Sequence, residues 1–487
     1  MSTIATTNFK VLSAKGFIGN VQNDDNSVYA FFGRSQPWDN EDIGASPDIP
    51  LDYQYDYFAA DRDIIALKKI NAANVCHVIP RKNWSPYNFY DQWDDKDESI
   101  WEKDFYVMNS DYVIYKCLRA PINRTTGERI ASTEEPTHVP PYDTNGFIDL
   151  TDDPKQYDDG YIWKFMYKLS ELDMKFLTFD FMPIRYYNPN GTYVGLTETE
   201  QLNLDVQEAS FGRVGDIYSY VVESGGSGYT TGDEPVITIA GDGTGADVNV
   251  YIGSDGTIST VEVTEDTSGT ILGEGSSYHY ATVTVDDSGS GGTGGTVRAI
   301  ISPSNGHGTN PVEELGAYFV GINSEFRNST TTDSDIQINT EYRQVGLMEN
   351  PEVEVSTANS ADGLNGNISL FVTLDPSVDS ISNLQYIVDA NGDKIAWIDG
   401  IENLSDTTGG ELILRVHRTE DTKHVDFEDT AYSDLYLEGD VSPFATLTSV
   451  VNPEYVHFSG NVLFLENRTA VERNENQIEQ IRFVVEF

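Results

Sequence analysis

Apolar residues along this chain occur mostly in short runs that alternate with polar residues and end at turn-forming residues. The pattern is clearest in Val28–Phe32, Tyr112–Leu118, Leu412–Val416 and Ile481–Phe487. Alternation with a period of two, between turn signals, is typical of strands. The sequence therefore predicts a mainly β protein of several domains with a few short helices.

Helical periodicity is rarer. Residues 59–70 place Ile64, Leu67 and Ile70 near helical spacing, with acidic residues early and lysines late, which suits the helix dipole. This pattern predicts a helix over 59–70. Ser170 is a suitable N-cap for a second short helix over 170–179, and residues 313–319 are a candidate for a third.

The composition changes near residue 213. From 225 to 308 the chain is rich in Gly, Ser, Thr and Asp, with almost no Lys or Arg, and it repeats after about 49 residues. Three segments recur in order: Ser227–Tyr229 in Ser277–Tyr278, Pro235–Ile239 in Ala281–Val285, and Gly243–Val250 in Gly292–Ala299. Each copy has the pattern strand, Gly turn, strand, which predicts an all-β module built by duplication. Disorder is the alternative, and the alternating Val, Ile and Thr argue against it.

These changes predict three parts: an N-terminal β-rich domain with short helices (1–212), the inserted Gly-rich β module (213–310) and a C-terminal β domain (311–487). A second insertion at about 356–440 lies inside the C-terminal domain. Within it, Leu384–Val388 and Lys394–Ile398 flank an Asn-Gly turn, which predicts a hairpin.

The chain is strongly acidic. It has 487 residues, with 30 Lys and Arg against 79 Asp and Glu, for a formal net charge of −49. Such a charge repels phosphate backbones and anionic lipids, so nucleic acid and membrane are not expected partners. The 28 Tyr and 22 Phe argue against an acidic disordered chain. The N-terminus has no apolar core typical of a signal peptide, and no run approaches the ~18 apolar residues of a membrane span.

The chemistry-bearing residues form no recognised site. Cys76 and Cys117 lie in apolar runs and are expected to be reduced core thiols. The seven histidines show no metal-ligand spacing, and the glycines of 241–245 lack the Lys-Ser/Thr of a phosphate loop. Residues 389–393 resemble the start of a calcium loop, but Lys394 stands where its glycine is required. We therefore predict no catalytic residue, no cofactor and no metal.

Two segments instead have the composition of rigid corners. The first corner (residues 33–38) contains Gly33, Arg34, Pro37 and Trp38, and the second (residues 80–84) contains Pro80, Arg81, Lys82 and Trp84. Gly permits an unusual backbone, Pro restricts the chain, and Trp buries a large surface. The corners are either internal and paired with carboxylates, or anchors for another protein, since Trp and Arg are favoured at interfaces.

Six motifs in order resemble the dimer-forming baseplate wedge subunits of T-even-type contractile-tailed bacteriophages. They lie at 31–38, 78–84, 112–118, 159–165, 342–345 with Asn350-Pro351, and 459–468, closing on 481–487. They add Trp163, Glu466, Asn467 and Arg468 to the candidate interface or corner residues. The 213–310 and 356–440 stretches have no counterpart in the shorter family members.

The resemblance implies a non-enzymatic virion protein with β-sandwich-like domains, made in the host cytoplasm and located in the tail baseplate. It implies a homodimer that joins neighbouring wedge proteins and takes part in the rearrangement that triggers sheath contraction. Fibre or fibre-attachment proteins are further candidate partners.

Two alternatives remain open from the residues. The first is an adhesin that binds receptors or attaches fibres, in which Tyr229, Tyr251, Tyr278 and Tyr280 stack on sugars. The second is a cell-wall glycosidase that uses a pair of acidic residues.

Overall fold

A computed structural model of the chain describes residues 5–22, 27–39, 41, 44–266, 270–327, 340–354, 363–378, 381–403, 410–474 and 477–487. Over these residues the protein is mainly β, with several sheets and few short helices, as predicted. It divides into two compact units. Unit 1 comprises the described residues within 1–15, 76–321 and 484–487, and unit 2 those within 16–75 and 322–483.

The helices and strands have the following bounds. The α-helices are α1 (Thr7–Gln22), α2 (Gln54–Arg62), α3 (Glu198–Ser210) and α4 (Pro311–Glu314). The first strands are β1 (Val28–Gly33), β2 (Ile64–Lys69), β3 (Val75–Pro80), β4 (Tyr106–Met108), β5 (Val113–Arg119), β6 (Lys155–Gln156), β7 (Ile162–Lys168) and β8 (Phe181–Ile184). The Gly-rich part contains β9 (Ser219–Ser227), β10 (Val236–Gly241), β11 (Thr244–Ala246), β12 (Val248–Ile252), β13 (Ile258–Val263), β14 (Glu274–Ser276), β15 (Ala281–Asp286) and β16 (Thr293–Ile300).

The remaining strands follow. They are β17 (Phe319–Arg327), β18 (Thr340–Glu349), β19 (Gly363–Asn365), β20 (Ile368–Leu374), β21 (Tyr386–Val388), β22 (Lys394–Asn403), β23 (Glu411–His417), β24 (Asp434–Leu437), β25 (Ala445–Val451), β26 (Asn461–Arg473) and β27 (Ile478–Glu486). Short 3-10 turns lie at Ala72–Asn74, Ile100–Glu102, Met174–Phe176 and Thr430–Tyr432.

Unit 1 contains an antiparallel sheet in the order β4-β5-β7-β6. All seven residues of β5 are buried, so both of its faces are covered by packed side chains. Cys117 on this strand and Cys76 on β3 are buried free thiols, as predicted. Burial raises the pKa of Cys76 to about 12, so it stays a neutral thiol.

The Gly-rich module of unit 1 is all-β, as predicted, but each copy does not pair with itself. Instead β9 pairs with β16, β10 with β15, β11 with β14 and β12 with β13. Thr238 lies opposite Thr284, its counterpart in the second copy. The equivalent strands β10 and β15 therefore pair with each other, antiparallel, between the two copies.

Unit 2 contains a five-stranded sheet, in the order β19-β2-β1-β18-β26, and a closed six-stranded barrel, in the order β20-β23-β22-β21-β24-β25. The barrel has its own core of buried aliphatic residues, including Leu370, Ile398 and Leu414. It also contains the predicted hairpin, in which β21 and β22 pair around residues 389–393.

The predicted helix over 59–70 is wrong. Helix α2 ends at Arg62, and β2 begins at Ile64 between β1 and β19, with Leu67 opposite Phe31. A strand buried on both faces has no period of two, so its apolar run imitates a helix. The β-branched Ile64 and Ile65 suit the strand.

The other two predicted helices are also corrected, and two helices were missed. Residues 170–179 form turns with one 3-10 segment, because the Asp173 carboxylate accepts bonds from Ser170, Tyr167 and Arg185. Near 313–319, only Pro311–Glu314 is helical, and Gly316 with a φ of +64° follows it. Helix α1 and the capped helix α3 were not predicted.

Candidate functional site

The first corner turns sharply at the end of β1. Gly33 is buried, and a Cβ there would lie 3.1 Å from the carbonyl oxygen of Asp63. Arg34 follows with a φ of +54°, and its backbone N–H donates to the same oxygen at 2.9 Å. A left-handed backbone costs a non-glycine residue about 1–2 kcal/mol, so side-chain contacts must hold this turn.

Those contacts come from the Arg34 and Trp38 side chains. The guanidinium lies 4.0 Å from the centre of the Trp38 ring, and its Nη1 is 3.6 Å from Asp63 Oδ2. The indole N–H of Trp38 donates to the Arg468 carbonyl at 2.8 Å. Burial lowers the pKa of Arg34, although Asp63 opposes this effect. Two of the sequence motifs thus meet at one corner.

Asn467, which belongs to the same motif as Arg468, is held by two hydrogen bonds. Its amide donates to the Asp48 carbonyl at 2.9 Å and accepts from Gln344 at 2.8 Å. Glu466 and Arg468 form an exposed ion pair at 3.8 Å, and Pro37 is exposed. This face of the first corner is therefore partly open to solvent.

Arg343, which was not among the predicted site residues, contacts the first corner from β18, the strand paired with β1. It is buried on β18 and donates to both carboxylate oxygens of Glu41, at 2.6 and 2.9 Å, and to Glu341 at 2.7 Å. It also donates to the Ser35 carbonyl. Hydrogen bonding to Arg343 lowers the pKa of Glu41. An arginine within an otherwise buried strand was the signal in the sequence.

A second unpredicted network is buried beside it. Ser35 donates its hydroxyl to Asp399 and accepts from the Trp397 indole at 2.8 Å, while His417 Nδ1 lies 2.8 Å from Asp399 Oδ2. Burial lowers the pKa of His417, but Asp399 outweighs burial and raises it. The serine hydroxyl bonds to the carboxylate and not to the imidazole, so these three residues do not make the Ser-His hydrogen bond of a Ser-His-Asp triad.

The second corner lies in unit 1 after β3. The Arg81 guanidinium donates to the Thr178 carbonyl at 2.8 Å and to Asn83 at 3.1 Å, in place of the carboxylate partner expected from the sequence. Lys82 does find a carboxylate, Asp104, at 3.0 Å. Pro80 ends the strand and is exposed. The chain direction here is set mostly by backbone carbonyls.

Trp84 and Trp163 share one core. The Trp84 indole donates to Ser132 Oγ at 3.1 Å, and its ring packs against the cluster that contains Trp163. Trp163 is buried and stacks on Tyr161 at 5.7 Å between ring centres. Trp163 is therefore an internal support for the second corner and offers no surface to a partner.

Residues 49–58 of unit 2 expose several apolar side chains that were not among the predicted site residues. Within residues 49–58, Ile49 is 87% exposed, Tyr53 62% and Tyr55 65%, and Leu51 and Phe58 are also exposed. A run of exposed aromatic and aliphatic side chains is typical of a protein-binding surface. The density of tyrosine in this stretch was the available signal.

The tyrosines proposed to stack on sugars are mostly not available for it. Tyr229 and Tyr278 are only 4% and 3% exposed, and each packs against glycines of the opposite copy. The Tyr251 ring is covered by the Arg124 guanidinium at 4.0 Å. Tyr280 alone of the four is well exposed, at 61%.

Two further findings concern metal binding and membrane-spanning helices. Among the residues that the structure describes, no three His, Cys, Asp or Glu side chains lie close enough together to hold a metal ion. In the same residues, no helix has the length and apolar character needed to cross a bilayer.

Comparisons with known proteins agree with the resemblance of the motifs. The family model described as "Bacteriophage T4, Gp8" matches residues 3–135, which include both corners and the segment 49–58. Baseplate wedge protein gp8 of Enterobacteria phage T4 is 23% identical over 195 residues, covering 34% of this chain and 55% of that protein. The chain thus spans about half the length of this curated relative. The resemblance to baseplate wedge subunits is confirmed.

Proposed function

We propose that this chain is a structural subunit of the baseplate wedge in a contractile phage tail, where it acts by binding and not by catalysis. The observation that carries the proposal is the family match over residues 3–135. That stretch contains the two corners and the exposed segment 49–58. The relative that matches is itself a baseplate wedge protein.

The proposed mechanism is geometric. Stiff corners fix the direction of the chain where it leaves the buried strands β1 and β3. Large interfaces between such rigid surfaces keep neighbouring subunits in register. Polar contacts at their rims can exchange partners when the baseplate rearranges and the sheath contracts.

Residues 49–58 are the contact surface that this proposal favours. Their exposed aromatic side chains follow the first corner in the chain and lie inside the matched region. We propose that a second copy or a neighbouring wedge protein covers them. We further propose that Arg34 and Trp38 at the first corner, and Arg81 and Trp84 at the second, each support an interface or the corner that shapes one.

The location of the chain in intact particles tests the proposal directly. Electron cryo-microscopy of whole phage should show its density in the plate at the end of the tail, in contact with neighbouring wedge subunits. Density confined to the capsid, or absence of the chain from finished particles, would contradict a baseplate role.

The oligomeric state and the surface are tested together. Light scattering of the purified chain should give a dimer, and Tyr53→Ser with Tyr55→Ser should weaken either dimerisation or wedge assembly. Tyr280→Ser is the matched control, because Tyr280 is equally exposed but lies in the Gly-rich module. This surface would be ruled out if the purified chain were a monomer and the double variant entered wedges as the wild type does.

We also propose that the chain is organised as 1–212, 213–310 and 311–487, with the Gly-rich module inserted. The pairing of Ser219 with Ile300 supports this division, because it brings the two ends of the module together. Replacing residues 220–299 with a short Gly-Ser linker should leave a folded, assembling chain. Unfolding of that variant would show that the module is an integral part of unit 1.

A further inference from the structure

Unit 2 contains a cavity lined by two arginines, in a chain of net charge −49. It has a volume of about 210 Å³. Its polar side chains are those of Arg62, His417, Arg418, His457 and Asn452, and none of the residues lining it is Asp or Glu. In a chain with 79 Asp and Glu, a lining that contains cations and no acid stands out.

His417 supplies the first unused donor. The residue is 3% exposed, its Nδ1 is bound to Asp399 at 2.8 Å, and its Nε2 is buried with no hydrogen-bond partner among the described residues. Asp399 also raises the pKa of this imidazole, so the ring can carry a proton on both nitrogens. A buried N–H without an acceptor costs about 1–3 kcal/mol, which an anionic ligand would recover.

Arg418 supplies the second. Its Nη2 donates to the Val425 carbonyl at 2.6 Å, which orients the guanidinium, while its buried Nε has no partner among the described residues. Arg62 is oriented likewise, because its Nε donates to Asp63 at 3.0 Å. The acids that contact the lining lie outside it: Asp63 binds Arg62, Asp399 binds His417, and Asp61 accepts from the backbone N–H of Phe458.

The walls between these donors are apolar. Ile368, Val416 and Pro453 line the cavity, and Phe458 lies at it and is 54% exposed. Water in the liquid occupies about 30 Å³ per molecule, so the cavity has room for several atoms besides one oxyanion. A bare inorganic ion would leave these walls without a partner.

We propose that this cavity binds an organic anion, a carboxylate group on a short apolar stem. The carboxylate oxygens accept from the Arg418, His417 and Arg62 side chains, and the stem packs on Ile368, Val416 and Pro453. Arginine recognises a carboxylate well because its N–H groups match the two oxygens. This inference is independent of the baseplate role.

The test uses the intact chain and two probes, pentanoate and inorganic phosphate, titrated by ligand-observed NMR. Pentanoate should bind one site per chain and saturate, and phosphate should bind at least tenfold more weakly. Arg418→Gln and Arg62→Gln should each weaken pentanoate binding by tenfold or more. Lys423→Gln, which removes one charge in the same barrel but outside the cavity lining, should leave it unchanged.

Four outcomes would overturn the assignment. The first is the absence of saturable pentanoate binding to the folded wild type. The second is equal binding by the wild type and both arginine variants. The third is an equal loss in Lys423→Gln, which would indicate only a general charge effect. The fourth is phosphate binding as tight as pentanoate binding, which would reject the organic stem. Circular dichroism of each variant confirms that it is folded before binding is compared.

Discussion

Trp38 combines three contacts in one residue: its ring lies under the Arg34 guanidinium, its indole N–H donates to the Arg468 carbonyl, and its backbone N–H donates to the Glu41 carboxylate. The cation over the ring and the charged hydrogen-bond partner each contribute on the order of 0.5–2 kcal/mol when partly buried. Together they offset the strained backbone at Arg34. A single aromatic residue thus stabilises the first corner.

Trp38→Phe should therefore lower the free energy of unfolding by about 1 kcal/mol, since the ring remains but the N–H donor to Arg468 is lost. Trp38→Ala should lower it by about 3 kcal/mol. Urea denaturation measures both. Trp101→Phe is the control, because this half-buried indole donates no hydrogen bond within the described part of the chain. Equal losses for Trp38→Phe and Trp101→Phe would show that the indole bond is unimportant.

Lys116 shows the opposite extreme of burial. It is fully buried on β5, where its ammonium lies 2.8 Å from Glu314 Oε2, 3.0 Å from His307 Nδ1 and 4.1 Å from the centre of the Trp93 ring. A buried charge requires such partners because its desolvation costs several kcal/mol. Since the ammonium donates to Nδ1, the imidazole must be neutral. Burial, with help from the Lys116 charge, lowers the pKa of His307 to about 3.

This shift makes unit 1 sensitive to acid. The unfolded histidine takes up a proton below about pH 6.5, whereas the folded one does so only near pH 3, so stability is lost as the pH falls between these values. By pH 5 the loss should be about 2 kcal/mol. His77, whose pKa burial lowers to about 4, acts in the same direction.

Thermal unfolding between pH 7 and pH 5 measures the effect. His307→Gln should flatten the pH dependence of the unit 1 transition, while the exposed His279→Gln should leave its slope as in the wild type. A slope that His307→Gln does not change would show that another group controls acid sensitivity.

At the scale of elements, the Gly-rich module is held together by reciprocal packing of its two copies. Tyr229 of the first copy lies on Gly292 of the second, and Tyr278 of the second lies on Gly243 of the first. A Cβ would approach the tyrosine ring to 2.2 Å at Gly292 and to 2.4 Å at Gly243. Each copy thus supplies the ring that the other copy's glycine accommodates.

Gly292→Ala and Gly243→Ala should each destabilise the module by roughly 1–3 kcal/mol, because the rings cannot move without disrupting the packed core. Gly289→Ala is the control, since no atom lies within 4 Å of its added Cβ and its backbone is not left-handed. Hydrogen exchange of β10 and β15 reports the local stability. Equal protection in all three variants would contradict the packing account.

For the whole molecule, the net charge of −49 dominates long-range behaviour. Many carboxylates are paired locally, as in the Arg298–Asp94 pair at 2.7 Å, but 30 cations cannot neutralise 79 acids. Self-repulsion of this kind opposes the compact state and is screened by salt. The same repulsion keeps copies apart, so assembly must rely on local patches such as residues 49–58.

Raising NaCl from 20 mM to 500 mM should therefore stabilise the folded chain by roughly 1 kcal/mol or more, a shift of about 2–4 °C in the unfolding temperature. Differential scanning calorimetry measures it, and KCl at the same ionic strength should act alike. A fall in the unfolding temperature with either salt would indicate that attractive ion pairs outweigh the net repulsion.

Several local features of the fold follow from the sequence alone. Runs such as Val28–Phe32 and the hairpin around 389–393 depend on side-chain alternation and turn chemistry, which act between near neighbours. The duplicated Gly-rich segment is equally visible, because its composition and its repeat are both local. Several of the corner residues follow from residue type, since Gly, Pro and Trp restrict or bury a chain wherever they occur.

Tertiary structure alone decided which segments meet. Ser35 and Asp399 are 364 residues apart, and no pattern in the chain indicates that they share a hydrogen bond. The strand at 64–69 is a strand because β1 and β19 flank it, and Lys116 is tolerated because Glu314 reaches it. Such pairings are chosen by burial and by the desolvation of charges, and these energies exist only once distant segments have packed.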